Sequence, residues 1–189
     1  MRMCHKQFPL VRGMEQIRFR NEIFAAQAPG FLQILSKDVA QSQWILISTL
    51  ECSGAIVRVY DPLLRDPHSY ETKCKIASQI RYTTVDRGHL VVQVMSVKQG
   101  ATNHDTGPLV IAMATDMLHN KDATGVIYSD TIALRRHMKD CFRNKKMTPF
   151  PRQTVTSRTP HTHAARRFPA PINTPSTHRA RFWEALRSD

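Results

Sequence analysis

Four short apolar segments predict the strands of a β-sheet. Residues 31–35, 44–47 and 55–60 are rich in β-branched and aromatic side chains, and Asp, Ser and Gly bound them. Runs of this length and composition favour strands over helices. Residues 90–97 form the fourth such run. The second run, WILIS, shows no strict alternation of apolar and polar positions, which predicts a central strand that is covered on both faces.

Apolar residues at helical spacing predict four helices. A weak pattern favours a helix near 14–26, and a clearer one predicts an amphipathic helix between the third and fourth strands. The core-facing residues of that amphipathic helix are predicted to be Tyr70, Cys74, Ala77 and Ile80. The segment 107–119 is apolar nearly all round at its start, so we expect a helix that is buried in the centre of the domain.

The fourth predicted helix begins at Ser129 or Asp130, ends near residue 144 and carries many positive charges. Its inner stripe is predicted to consist of Leu134, Met138, Cys141 and Phe142. The basic residues around that stripe are Arg135, Arg136, Lys139, Arg143, Lys145 and Lys146. Two interpretations of these charges are open at this point: a solvated helix face, or a face that contacts anions.

The composition of the chain changes after residue 151. Residues 152–189 are dominated by Pro, Thr, Ser, His and Arg, and aliphatic residues are sparse. Such a segment cannot bury enough apolar surface to offset its chain entropy, which predicts a disordered basic tail. The predicted organisation is an N-terminal segment over 1–29, which would be a truncated part of the domain, then a domain over 30–151 and the tail over 152–189.

The formal net charge of +12 favours a polyanionic partner. The segment 152–189 contributes to this charge with seven Arg residues. Non-specific contact between the tail and nucleic-acid phosphates is therefore one hypothesis. No zinc-finger, helix-turn-helix or stacked-aromatic motif supports the recognition of bases.

The cysteines and the hydropathy pattern indicate the cellular compartment of the protein and whether a membrane or a metal site is expected. The four cysteines, Cys4, Cys52, Cys74 and Cys141, form no CxxC pair and imply no disulfide framework, which favours the nucleus or cytoplasm. No segment approaches the ~20 apolar residues that a membrane span requires, so we expect no membrane partner. We also expect no metal site, because His161 and His163 of the tail have no Cys or His at ligand spacing nearby. No cofactor is expected.

The start of the buried helix is the place where the sequence offers chemistry. The helix follows a polar loop, residues 98–106, so its first backbone N–H groups and the positive end of its dipole face that loop. A cysteine placed at such a helix start would have a stabilised thiolate and a ready oxyanion site.

Four sequence stretches across residues 30–151 carry a resemblance to a known family: FLQIL, QWILISTLECSGAIVRVYDPL, KQGATNHDTGPLVIAMATDML and CFRNKKMTPFP. In this order they resemble the catalytic domain of the ubiquitin-like proteases, the SUMO- or sentrin-specific cysteine proteases, in the versions found in transposon-derived genes. The resemblance implies an α+β fold of the papain-like type, with a small central mixed sheet packed by helices. It also implies a His, Asp and Cys triad with an oxyanion-hole Gln.

Four positions of the family pattern keep their residue in this chain. Asp61 stands at the position of the triad Asp, and Gln99 matches the oxyanion-hole Gln. Trp44, which follows the position of the triad His, and Gly107, which follows the position of the nucleophile, are retained as substrate-binding residues. The resemblance therefore implies that a groove for the C-terminal tail of a ubiquitin-like modifier persists beside Trp44 and Gln99.

The two positions that perform the covalent chemistry are replaced. Gln43 occupies the position of the triad His, and Thr106 occupies the position of the nucleophilic Cys. Glutamine has no titratable group and cannot serve as a general base. A threonine hydroxyl is far less acidic than a thiol and needs an adjacent base or an N-terminal amine. The expected function is thus a SUMO-protease-like domain without peptidase activity.

Two other functions are kept as alternatives. One is an active cysteine peptidase that deconjugates a ubiquitin-like modifier through an unrecognised nucleophile. The other is a basic nucleic-acid-associated module of mobile-element origin, which would act through the tail and the basic predicted helix.

Overall fold

The computed structural model describes residues 2–14, 30–36, 43–52, 56–63, 89–95, 97, 99, 102–128, 130–154 and 162–169. Within these residues the chain forms a mixed sheet with helices and a short two-stranded ribbon, an α+β architecture. The elements in chain order are α1 (Arg2–Gln7), β1 (Arg12–Gly13), β2 (Phe31–Ser36), β3 (Trp44–Ser48), β4 (Ile56–Tyr60), β5 (His89–Met95), a 3₁₀ turn (Asn103–Asp105), α2 (Thr106–Leu118), β6 (Val126–Tyr128), α3 (Thr131–Arg143), β7 (Arg152–Thr154) and β8 (Thr162–Pro169).

The main sheet has the strand order β1-β2-β3-β4-β5-β8. Strands β2, β3 and β4 are antiparallel neighbours, whereas β4 and β5 run parallel. Strand β3 lies inside the sheet between β2 and β4, and its residues after Trp44 are buried, which confirms the prediction of a covered central strand. The four predicted strands are confirmed as β2 to β5.

Helix α2 forms the centre of the core. Ten of its thirteen residues are buried, because the segment is apolar nearly all round, and it packs against β3 and β2. Helix α3 packs on α2 and begins after Asp130, whose side chain accepts a hydrogen bond from the N–H of Ala133 at 2.9 Å. This N-cap satisfies one of the otherwise unpaired N–H groups of the first turn. Both predicted helices are confirmed.

The N-terminal residues pack onto the same core. Cys4 and Met14 are buried and belong to the cluster that contains α2. The Gln7 side chain donates to the carbonyl of Met147 and accepts from its N–H, each at 2.8 Å. This pair of bonds fixes the end of α1 against the segment that follows α3.

The prediction for the inner stripe of α3 is wrong at one residue. Leu134 and Cys141 are buried and Met138 is partly buried, but Phe142 is 58% exposed. One residue turns an α-helix by about 100°, so Phe142 is rotated away from the stripe that Cys141 occupies.

The predicted disorder of residues 152–189 is wrong for two stretches. Residues Arg152–Thr154 form β7, which pairs with β6, and Thr162–Pro169 form β8, which pairs with β5 at the edge of the main sheet. Strand pairing uses backbone hydrogen bonds, so an edge strand does not need the aliphatic residues whose scarcity predicted disorder. The rest of the tail lies outside the described residues.

Two predicted helices lie outside the described residues almost entirely. These are the helix near 14–26, of which the structure describes only Met14, and the amphipathic helix predicted to contain Tyr70, Cys74, Ala77 and Ile80. Among the helices that the structure does describe, none is long and apolar enough to cross a bilayer.

Candidate functional site

The start of β3 and the start of α2 meet through one hydrogen bond. The backbone N–H of Trp44 donates to the Thr106 hydroxyl oxygen at 3.0 Å, and the Thr106 hydroxyl donates to the carbonyl of Asn103 at 2.8 Å. Thr106 has no exposed surface. The hydrogen bond joins two residues that lie about sixty positions apart in sequence. Because Gln43 directly precedes Trp44, the structure brings the predicted site positions 43 and 106 together.

The 3₁₀ turn before α2 sets the position of Thr106. The hydroxyl and the N–H of Thr102 both donate to Oδ2 of Asp105, at 2.6 and 3.1 Å. The bond from the Thr102 hydroxyl is the main reason that the pKa of Asp105 is lowered. Arg135 of α3 donates to the carbonyl of His104 at 3.0 Å and so holds the turn from the other side.

The indole of Trp44 lies against the first turn of α2. A β-carbon added to Gly107 would lie 3.5 Å from Cδ1 and 3.8 Å from Nε1 of Trp44. The two predicted substrate-binding residues are therefore neighbours, and the bare backbone of Gly107 faces the edge of the indole.

We expect that replacing Gly107 with alanine leaves the free energy of unfolding unchanged or raises it by up to about 1 kcal/mol. The added β-carbon would make ordinary van der Waals contacts with Trp44, and alanine favours a helix more than glycine does. Urea unfolding followed by tryptophan fluorescence measures this change. A loss of stability beyond about 1 kcal/mol would mean that the indole needs the bare backbone.

Asp61 follows β4 at the same corner of the sheet. Strand pairing sets Leu46 of β3 opposite Tyr60 of β4, and continuing this antiparallel register places Asp61 level with Ile45, two residues from Gln43. The Asp61 side chain is buried, and its Oδ1 accepts a hydrogen bond from the N–H of Leu63 at 2.9 Å. The positions 43, 61 and 106 thus surround one end of β3.

Gln99 bonds to a different part of the molecule. Its amide Nε2 donates to the carbonyl of Val126 at 2.9 Å, and its Oε1 accepts from the N–H of Tyr128 at 3.0 Å. The Gln99 side chain therefore bonds to the backbone of β6 as a neighbouring strand would. It does so on the edge of β6 that faces away from β7. This use of the amide as a structural link was not predicted from the sequence.

A buried polar cluster at the other end of α2 was also missed. Asp116 has no exposed surface, and its Oδ2 accepts hydrogen bonds from the Tyr128 hydroxyl at 3.0 Å and from Arg152 at 2.8 Å. Arg152 also donates to the carbonyl of Asp122 at 2.8 Å. The sequence signal that could have found it is the single carboxylate in the apolar segment 107–119.

Burial controls the protonation of this cluster. Desolvation raises the pKa of Asp116, and the nearby guanidinium of Arg152 acts in the opposite direction. Desolvation also raises the pKa of Tyr128, so its hydroxyl stays protonated and donates to the carboxylate. The other oxygen of Asp116, Oδ1, is buried and has no hydrogen-bond partner among the described residues.

The cysteines that the structure describes lack the environment of an activated nucleophile. Cys4 and Cys141 are buried and Cys52 is partly buried. Burial raises the pKa of the Cys4 and Cys52 thiols, which lowers the thiolate fraction at neutral pH. No group of three or more His, Cys, Asp or Glu residues within the described part of the chain could hold a metal ion.

Comparison of the chain with known protein families, with curated proteins and with solved structures finds no match in any of the three.

Proposed function

We propose that this chain is a ubiquitin-like-protease domain of the papain-like type that has lost peptidase activity and binds the C-terminal tail of a ubiquitin-like modifier, in the nucleus or cytoplasm. The observation that carries the proposal is the hydrogen bond from the Trp44 N–H to the Thr106 hydroxyl. It joins the first residue of β3, which directly follows the position of the triad His, to the residue at the position of the nucleophile at the start of α2. Gly107 against the indole of Trp44 gives further support.

The surroundings of Thr106 support the loss of activity. Its hydroxyl donates a hydrogen bond to the carbonyl of Asn103 and accepts one from the N–H of Trp44, and the side chain has no exposed surface. Gln43, at the position of the base, cannot accept a proton at neutral pH. Removing the nucleophile or the base of a catalytic triad lowers the rate by a factor on the order of a million.

The cysteines within the described residues, Cys4, Cys52 and Cys141, argue against the alternative of an active peptidase with another nucleophile. A nucleophilic cysteine needs a lowered pKa, whereas burial raises the pKa of Cys4 and Cys52. Helix α2 also begins with a Thr-Gly-Pro sequence, so no thiol stands in its first turn.

The experiment that tests the proposal restores the two replaced residues. Wild type, the single variant Thr106→Cys and the double variant Gln43→His with Thr106→Cys are mixed with SUMO, ubiquitin and related modifiers that carry C-terminal electrophiles. We expect no labelling of the wild type and specific labelling of the double variant by one modifier. The single variant should label much more slowly, because it has a thiol without a base.

Two controls separate chemistry from folding and from binding. The double variant Gln43→His with Thr106→Ser keeps a hydroxyl at position 106 and should remain unlabelled, and the melting temperature of every variant is measured in parallel. Binding of wild type to an unmodified modifier is followed by titration calorimetry. Labelling of the wild type would contradict the loss of activity. The absence of both modifier binding and labelling in folded variants would contradict the proposed substrate tail.

A further inference from the structure

The solvent-facing side of α3 carries four cations and two large apolar side chains. At 3.6 residues per turn, six residues fall within about 120° of the helix surface. All six are exposed, including Ile132 at 69% and Phe142 at 58%. We call this surface the outer face of α3, and its residues are Ile132, Arg135, Arg136, Lys139, Phe142 and Arg143.

The outer face is not needed to bury the helix. The opposite side of α3 packs on the core through Leu134 and Cys141, both buried. Ile132 and Phe142 therefore lie on the side of the helix that α2 does not contact. They are ten residues apart, which corresponds to a distance of about 15 Å along the helix axis.

The charges lie between the two apolar residues. Arg135, Arg136 and Lys139 occupy the middle of the outer face, and Arg143 lies next to Phe142. Arg135 donates to the carbonyl of His104, and Arg143 forms an exposed ion pair with Asp140 at 3.1 Å. The charge of Arg135 also acts on the nearby carboxylate of Asp105, which compensates it in part, so Arg136 and Lys139 supply most of the positive charge in the middle of the face.

We propose that the outer face of α3 is a docking surface for an acidic peptide segment of another protein. In that peptide, carboxylates lie between two apolar anchor residues that are about 15 Å apart. The carboxylates would pair with Arg135, Arg136 and Lys139, and arginine binds carboxylates through two parallel hydrogen bonds. The two anchors would cover Ile132 and Phe142. This proposal does not depend on the proposed function, because the outer face lies on α3, whereas Gln43 precedes β3 and Thr106 lies at the start of α2.

The apolar residues favour a peptide over two other anionic partners. Contact with a nucleic-acid backbone uses cations and gains little from Ile132 and Phe142. A helix that lies in a membrane surface inserts its apolar side, but the apolar side of α3 is already buried in the core.

The test uses the full chain and designed fluorescent peptides. The first probe has two leucines separated by four glutamates, which spans the required distance in an extended conformation at about 3.3 Å per residue. A second probe carries the leucines ten residues apart with glutamates between them on one side of a helix. Matched peptides replace every glutamate with glutamine, or both leucines with serine. Binding is measured by fluorescence anisotropy.

We expect at least one acidic probe with both anchors to bind, and each matched peptide to bind about tenfold more weakly or worse. The variants Phe142→Ser and Lys139→Glu should each weaken binding of that probe by about tenfold. The control Lys6→Glu makes the same charge change at an exposed residue of α1 and should leave binding almost unchanged. Melting temperatures confirm that the variants are folded, which is expected because all three positions are exposed.

Several results would overturn the proposal. One is equal binding of the acidic and the glutamine peptides, and another is unchanged binding by Phe142→Ser. The same probe set includes a DNA duplex and phosphatidylserine vesicles. Tighter binding to either of these, with no effect of Phe142→Ser, would assign the face to that partner instead. The absence of binding by both acidic probes at about 1 mM would remove the docking surface.

Discussion

Replacing Asp116 with alanine is expected to lower the free energy of unfolding by about 3 kcal/mol. The substitution removes the carboxylate that accepts hydrogen bonds from Tyr128 and Arg152. Asp116 has no exposed surface, so these bonds lie in the protein interior. The Tyr128 hydroxyl is then left buried without its acceptor. Arg152 loses its ion-pair partner, although its side chain is 23% exposed and can be partly hydrated. Urea unfolding at pH 7 measures the loss.

The variant Asp116→Asn should be far less damaging, at about 1 kcal/mol. Its carbonyl oxygen can still accept from Tyr128 and Arg152, and burial already raises the pKa of Asp116, which means that the site favours a neutral side chain over a charged one. A raised pKa also means that the folded wild type binds more protons than the unfolded chain. The stability of wild type relative to Asp116→Asn should therefore rise as the pH falls through the pKa of folded Asp116, and level off below the ordinary pKa of an aspartate.

The exposed pair of Asp140 and Arg143 provides the matched control. Its N–O distance of 3.1 Å is close to the 2.8 Å between Arg152 and Asp116. The side chains of Asp140 and Arg143, however, are 49% and 77% exposed. Asp140→Ala should therefore change the free energy of unfolding by no more than about 0.5 kcal/mol. If Asp116→Ala cost no more than Asp140→Ala, the buried cluster would not hold α2 to β6 and β7.

The strands and the two central helices were predictable because their signal is local. Strands β2 to β5 are short β-branched runs, and α2 is an apolar segment that starts at a polar loop. Phe142 shows the limit of this approach, because an apolar residue next to a stripe is easily assigned to it. Strand β8 shows another limit, since pairing at a sheet edge depends on a backbone partner about seventy residues away in sequence.

The site could be predicted only in part. Only the resemblance to a family suggested that Trp44 and Thr106 lie close together. No periodicity in the chain indicates this contact, because the two residues belong to separate elements. The links made by Gln99 and Arg152 were not predicted. Each joins residues about thirty positions apart through a single side chain, and such pairs leave no pattern in one sequence.

Replacing Thr106 with valine is expected to lower the free energy of unfolding by about 2 kcal/mol. Valine has nearly the shape of threonine, so it opens no cavity, but it removes the hydroxyl that accepts from the N–H of Trp44 and donates to Asn103. The polar groups left behind lie at the start of the central strand and in the turn before α2. Thermal and urea unfolding measure the loss, and amide hydrogen exchange at Trp44 should become faster.

Thr106→Ser is the control that separates the hydroxyl from the methyl group. It keeps both hydrogen bonds and loses one buried methyl, which costs about 0.8 kcal/mol. If the hydroxyl links β3 to α2, serine must be better tolerated than valine, although valine is the more apolar residue at a fully buried position. The opposite order would mean that packing alone holds this corner. The hydrogen bonds of the hydroxyl would then contribute too little to stability to keep Thr106 from acting as a nucleophile.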